Sequence, residues 1–243
     1  MKIITHVFVL LTCIYVQADI LEDFDSLGSN KILLEKAQAL APEKKIEIVQ
    51  NRVVDRHWRH EFAPEFEVVS SGANPYFQTR MIGFNYQLHI NPRWSIGLNY
   101  NYAFNELTEE GQQVIDDGRA KQDQILKEDP NSLDKPEPFI PELNWLKQSY
   151  SAQLNWYPIY GKFSLLNKAI VHFDLYTHLA IGQAQLRFND SPLYQAGLGL
   201  GLWWSQHLTS RLEYKFTTYT AELYKSEQTV QTGNLNFSVG YLL

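Results

Sequence analysis

In "VHFDLYTHLAIGQ" an aspartate stands between two histidines, with His172, Asp174 and His178 at i, i+2 and i+6. Side chains of an extended strand alternate between its two sides, so the three share one face, and imidazole beside carboxylate is the material of a metal site or an acid–base pair. Distance argues against one site: at about 3.3 Å per residue, His172 and His178 are about 20 Å apart and cannot hold the same ion. His172 and Asp174 alone make half a site that needs partners from another strand. A second chemically capable set is charged and alternates in the same way: Arg59, Glu61, Glu65 and Glu67 in "RHEFAPEFEVV", and Arg211, Glu213 and Lys215 in "SRLEYKFTTYT". No general acid or nucleophile with a hydrogen-bonded partner can be identified among them. The expectation is therefore no catalytic, cofactor-binding or metal residues and no cofactor. Arg59, Glu61, Glu65, Glu67, Asp174, Arg211, Glu213 and Lys215 instead form a lumen charge network, with Glu213 buried among Arg59, Arg211 and Lys215.

The elements that must position these rows are strands. "SIGLNYNYAFN" sets Ile96, Leu98, Tyr100, Tyr102 and Phe104 against Ser95, Gly97, Asn99, Asn101 and Ala103, and "MIGFNYQLHI", "SYSAQLNWY" and "YQAGLGLGLWW" repeat the period of two, the last with a glycine row at Gly197, Gly199 and Gly201. With the two charged segments, "VHFDLYTHLAIGQ" and the final "NLNFSVGYLL", the count is eight, an even number and that of small closed barrels. Connections are unequal: "NPR" separates strands two and three and a short turn near Ser205–Leu208 separates six and seven, while residues 106–143 form a long loop and "PIYGKFSLLNK" is read as a longer turn. Strands one and seven both flank strand eight, so their charges can meet across its small Asn and Ser side chains.

The start of the chain reads as an address. "MKIITHVFVLLTCIYVQA" has Lys2, an apolar run and a small-residue cleavage site, so residues 1–18 are expected to be a secretory signal peptide that takes the single cysteine, Cys13, with it. Residues 19–55 are expected to be a periplasmic segment with a short helix in "NKILLEKAQALAPE", capped by Asn30 and ended by Pro42, and "KKIEIVQNRVV" after it to enter the lumen or add a strand. Residues 56–243 are the barrel. Past residue 18 no stretch approaches the roughly 20 apolar residues of a membrane helix, but a membrane strand needs only about 9–11 with every second one apolar.

Alternation leaves open which face is outside. In a soluble lipocalin-like barrel the apolar face lines a ligand cavity. Here the polar row is Asn, Gln, Ser and Gly, a good filling for a narrow tube, and the apolar row carries Tyr76, Trp94, Tyr102, Trp156, Tyr194, Trp204 and Tyr241 near strand ends, where interfacial girdles lie. The expected fold is an all-β, eight-stranded antiparallel up-and-down transmembrane β-barrel. Leu235, Phe237, Val239, Tyr241 and Leu243 form the apolar row of the last strand and read as an insertion signal.

"NRVVDRHWRHEFAPEF", "WYPIYGKFSLLNKAIVHFDLY" and "GLGLWWSQHLTSRLEYKF" together resemble the outer membrane β-barrel domain family of myxobacteria and predatory bacteria. The resemblance implies an outer-membrane barrel, a periplasmic N-terminal segment and insertion by the β-barrel assembly machinery, with no established reaction. The expected role is non-enzymatic, structural or in interaction, with the alternatives of a small porin or channel-forming oligomer, an outer-membrane lipid-modifying enzyme, and a soluble lipocalin-like binder. Expected partners are outer-membrane lipid and lipopolysaccharide, the assembly machinery, and a surface or periplasmic protein; nothing in the chain calls for nucleic acid. Residues 106–142 hold eleven acids and four bases, so the acidity of the whole chain, net −6, belongs to this external loop. "ELTEEGQQVIDDGRAKQDQILKED" within it can be partly helical.

Overall fold

The computed structural model describes residues 54–70, 74–128, 143–165, 169–223 and 226–243. Eight antiparallel strands close into a barrel in sequence order: β1 (Arg59–Val69), β2 (Phe77–Asn91), β3 (Trp94–Leu107), β4 (Leu146–Leu165), β5 (Ala169–Leu186), β6 (Asp190–Trp203), β7 (Leu208–Leu223) and β8 (Ser226–Leu242). Every strand pairs with its sequence neighbours, and β8 returns to β1, so no sheet edge is left open. One end of the barrel, the turn end, has the Pro92–Arg93 and Trp204–His207 turns, Val54 and Leu243; the other is the loop end. The expected signal segment and N-terminal helix lie outside the described residues.

Alternation resolves into an inside and an outside. Glu61, Glu65, Asn85, Gln87, Asn99, Asn101, Gln153, Asn155, Asn234, Asn236 and Ser238 are buried within the barrel, while Ile82, Phe84, Leu98, Leu154, Leu179, Leu198, Leu212, Phe237 and Val239 are exposed on its wall. This is the reverse of a lipocalin, whose apolar row lines the cavity. Aromatic pairs cluster toward both ends of the wall. Trp94 and Trp156 face each other across β3 and β4 and stack at 6.1 Å near the turn end, while Tyr102–Phe104 and Tyr214–Phe216 meet edge-on toward the loop end. Among the described residues no helix is long and apolar enough to cross a membrane, which says nothing of strands.

Three local features follow from single residues. Pro64 has no N–H to give, and the β1–β8 ladder breaks there, running to Phe62↔Tyr241 and resuming at Glu65↔Ser238 in the same register. The segment "PIYGKFSLLNK" is not the longer turn expected. β4 and β5 pair along it from Ile159↔Leu175 to Leu165↔Ala169, past a register shift between Trp156 and Ile159 that absorbs Pro158 at a bulge. In the long loop, α1 (Glu109–Glu128) starts at Thr108, whose Oγ1 accepts the Gly111 N–H at 3.1 Å and whose hydroxyl donates to the Pro75 carbonyl at 2.6 Å. Glu109 and Glu110 sit in its first turn, where the helix dipole favours negative charge. A Cβ on Gly111 would lie 2.1 Å from the Tyr76 carbonyl oxygen, so the glycine is what lets α1 dock on the β1–β2 loop.

Candidate functional site: the barrel lumen

At the turn end the lumen is closed by the chain itself. Residues 54–58 precede β1 and turn back through Trp58, whose φ of 54° is a strained conformation for a bulky residue. This turn leaves Val54 packed with Trp203 and Leu242 and lays Arg56 inside the mouth. The Arg56 guanidinium donates to the Pro92 carbonyl at 2.8 Å and to Asp174 at 3.2 Å, and lies 4.6 Å from the centre of the Tyr157 ring and 5.2 Å from that of Trp203. Trp203 Nε1–H donates to the other oxygen of the same carboxylate at 2.6 Å. Asp174 is thus a buried carboxylate with a forked cation and an indole donor, the pairing a buried charge needs.

One layer in, Glu61 is the hub. Its Oε2 accepts from Arg211 and pairs with His89 Nε2 at 2.7 Å, and Arg211 also donates to Tyr157 Oη at 3.2 Å. The Tyr157 hydroxyl in turn donates to Gln87 Oε1 at 2.8 Å, to which Ser95 also donates at 3.0 Å. Glu61 on β1 and Arg211 on β7 meet across β8, and Gly240 leaves the opening: a Cβ there would stand 2.3 Å from Glu61 Oε1. Gly197 and Gly199 of β6 also leave room for inward side chains, since a Cβ on Gly199 would strike the Tyr176 ring at 2.3 Å and one on Gly197 the His178 ring at 2.4 Å.

The third layer gathers Glu65, Glu67 and Glu213 around Lys215, whose Nζ lies 3.7, 3.1 and 3.4 Å from their oxygens. Asn99 donates to Glu65 at 2.6 Å, Asn234 to Glu67 at 2.6 Å, Asn236 to both Glu65 and Glu213, and Tyr176 to Glu213. Three carboxylates against one ammonium leave this layer an excess of negative charge. The opposite wall is neutral: Gln153 donates to Asn85 at 3.1 Å, Asn155 to Ser95 at 3.0 Å and Asn101 to Asn99 at 2.8 Å.

Seven of the eight charges read from parity therefore point inward. Arg59 does not join them: it is half-buried at the turn-end rim, where its guanidinium donates to the carbonyls of Asp55, Leu242 and Leu243. As the first residue of β1 it has reached the barrel edge, and Arg56 supplies the inner cation in its place. Glu213 accordingly sits with Lys215 and not with Arg59. His172, Asp174 and His178 share a face but no site. His172 Nδ1 meets Tyr160 Oη at 2.6 Å, Asp174 belongs to the turn-end plug, and His178 lies near the third layer, packed against Gly197. His89 stands in the polar row of "MIGFNYQLHI" itself, and Tyr157 and Trp203 were legible, since each extends an inward row by one step; Arg56 lies before the strand, and no period reaches it.

No family model matches this chain, and no curated protein does. Among solved structures it is similar to the N-terminal β-barrel domain of Pseudomonas aeruginosa OprF (8% identity, 77% of this chain and 98% of that one, TM-score 0.41), to Neisserial surface protein A (9%, 76% and 96%, 0.38) and to Ail, the attachment invasion locus protein of Yersinia pestis (11%, 76% and 97%, 0.35). Likenesses at this level assign neither ligand, partner, location nor activity to this chain.

Proposed function

We propose that the protein is an integral outer-membrane β-barrel of a Gram-negative cell, non-enzymatic, with a structural or interaction role and a filled lumen. The observation that carries this reading is the inversion of the barrel: residues large and apolar outside, hydrogen-bonded and charged inside. A closed barrel with no free edge and an apolar wall satisfies its backbone internally, as hydrocarbon requires. The affinity with the barrel family of myxobacteria and predatory bacteria is part of the proposal, as are export by residues 1–18, insertion by the assembly machinery from the row Leu235, Phe237, Val239, Tyr241 and Leu243, and contact of the wall with outer-membrane lipid and lipopolysaccharide. The acidic loop that carries α1 is the surface on which a protein partner would dock. A porin role is disfavoured by the packed lumen, and the enzyme reading by the engagement of Glu61, Asp174 and Glu213 in ion pairs.

Single cysteines along "NLNFSVGYLL" test it, since Cys13 lies in the segment to be removed. A lipid-phase reagent in whole outer membranes should label positions 235, 237, 239 and 241, and a water-phase reagent should not. Labelling without this parity, or recovery of the protein in the soluble periplasm, would overturn the reading.

A further inference from the structure

Beyond the Lys215 layer the lumen changes character. Toward the loop end its inward side chains are Met81, Leu146, Leu193 and Tyr219, with alanines of β3, β5 and β7 between them, packed as one apolar cluster inside the barrel. A cavity of about 270 Å³ lies there, lined by these four residues together with polar side chains such as Ser149, Gln195 and Thr232, and floored by Thr217 and Asn234. Its wall has a notch. The β1–β2 ladder ends at Val68↔Arg80, whereas β2 goes on pairing with β3 as far as Phe77↔Leu107, and Val69 and Gln78 on the two sides of the gap both line the cavity.

The floor has a polarity of its own. Asn234 is buried, and its amide hydrogens are both spent, on Glu67 at 2.6 Å and Thr217 at 3.2 Å. Directly beneath stand the three carboxylates around Lys215, which make the potential at the floor negative. Volume, lining and floor together define an occupant. A cavity of about 150 Å³ accepts a benzene ring, so this one takes a body of roughly one ring with a short chain.

We infer that the loop-end cavity binds a small, mainly apolar molecule bearing a cationic group, of arylalkylamine size, and rejects the corresponding carboxylate. The filled layers below stop the ligand there, so the site captures and does not conduct. This goes beyond the function proposed above and does not depend on it, because the interior is the same whichever solvent surrounds the wall.

The chain has two methionines, Met1 and Met81, so methyl-¹³C-methionine places a single reporter in the cavity of the barrel. On titrating the folded protein in detergent with 2-phenylethylamine, the Met81 methyl should shift and saturate. With 3-phenylpropionate, half-saturation should need at least about tenfold more ligand. Ser149→Phe, which puts a ring into the same cavity, should abolish the saturable shift while a heat-modifiable gel band reports a folded barrel. A linear drift with both compounds, equal or tighter binding of the carboxylate, or a saturable shift that survives in folded Ser149→Phe would overturn the inference. Should that variant fail to fold, the two titrations of the unaltered protein decide.

Discussion

The two halves of the lumen solve one problem with different chemistry. Between β7 and β1, across β8, the filling is ionic: Glu61, Glu65 and Glu67 on one strand against Arg211, Glu213 and Lys215 on the other. Between β2 and β4 it is amide and hydroxyl: Asn85, Gln87, Ser95, Asn99, Asn101, Gln153 and Asn155. An amide that loses its partner leaves one unmet hydrogen bond, whereas a buried ion that loses its counter-ion leaves a charge that nothing nearby solvates. The ionic half therefore has little tolerance and the amide half has much. His89 joins them, standing on β2 and bonded to Glu61.

The largest effect that could break this contrast is at Lys215. Lys215→Met leaves three carboxylates facing one another and should cost about 3–5 kcal/mol of unfolding free energy in detergent. A loss under about 1 kcal/mol would mean that water fills this layer and the halves do not differ. Next comes the plug. Arg56→Met should cost about 2–3 kcal/mol, less than Lys215 because Trp203 still donates to Asp174. Adding Asp174→Asn should restore part of it; a double variant no better than the single would show that the pair is not coupled. In the amide half, Gln153→Ala should cost only about 1 kcal/mol, read in the same assay. The smallest effect sharpens the point. Glu65→Gln keeps the shape that Asn99 binds and removes, of the three like charges around Lys215, the one that stands farthest from its ammonium, so stability should change by less than about 1 kcal/mol. A loss as large as that of Lys215→Met would show that all three carboxylates are needed to hold the lysine.

Much of this was written in the period of two. Residues such as Leu98, Phe237 and Val239 could only fall on one face and Asn99, Asn236 and Ser238 on the other, because a strand has two sides and no third. Parity reached even the charges, placing Glu61, Glu65, Glu67, Arg211 and Lys215 inward before any partner was known. It failed where period says nothing: at Arg59, where a strand meets its rim, at Pro158, where a bulge turns an apparent breaker into a strand, and at Arg56, which precedes the strand altogether.

Strand number, sidedness and the polarity of each face were thus properties of the sequence alone, since each depends only on which residues are neighbours at i and i+2. Which charge meets which, that Gly240 opens the path between Glu61 and Arg211, and that the lumen turns apolar around Met81, Leu193 and Tyr219 were decided by the closed barrel. Those contacts join residues as far apart as Glu67 and Asn234, and their geometry rests on the stagger of eight strands, which no local pattern records.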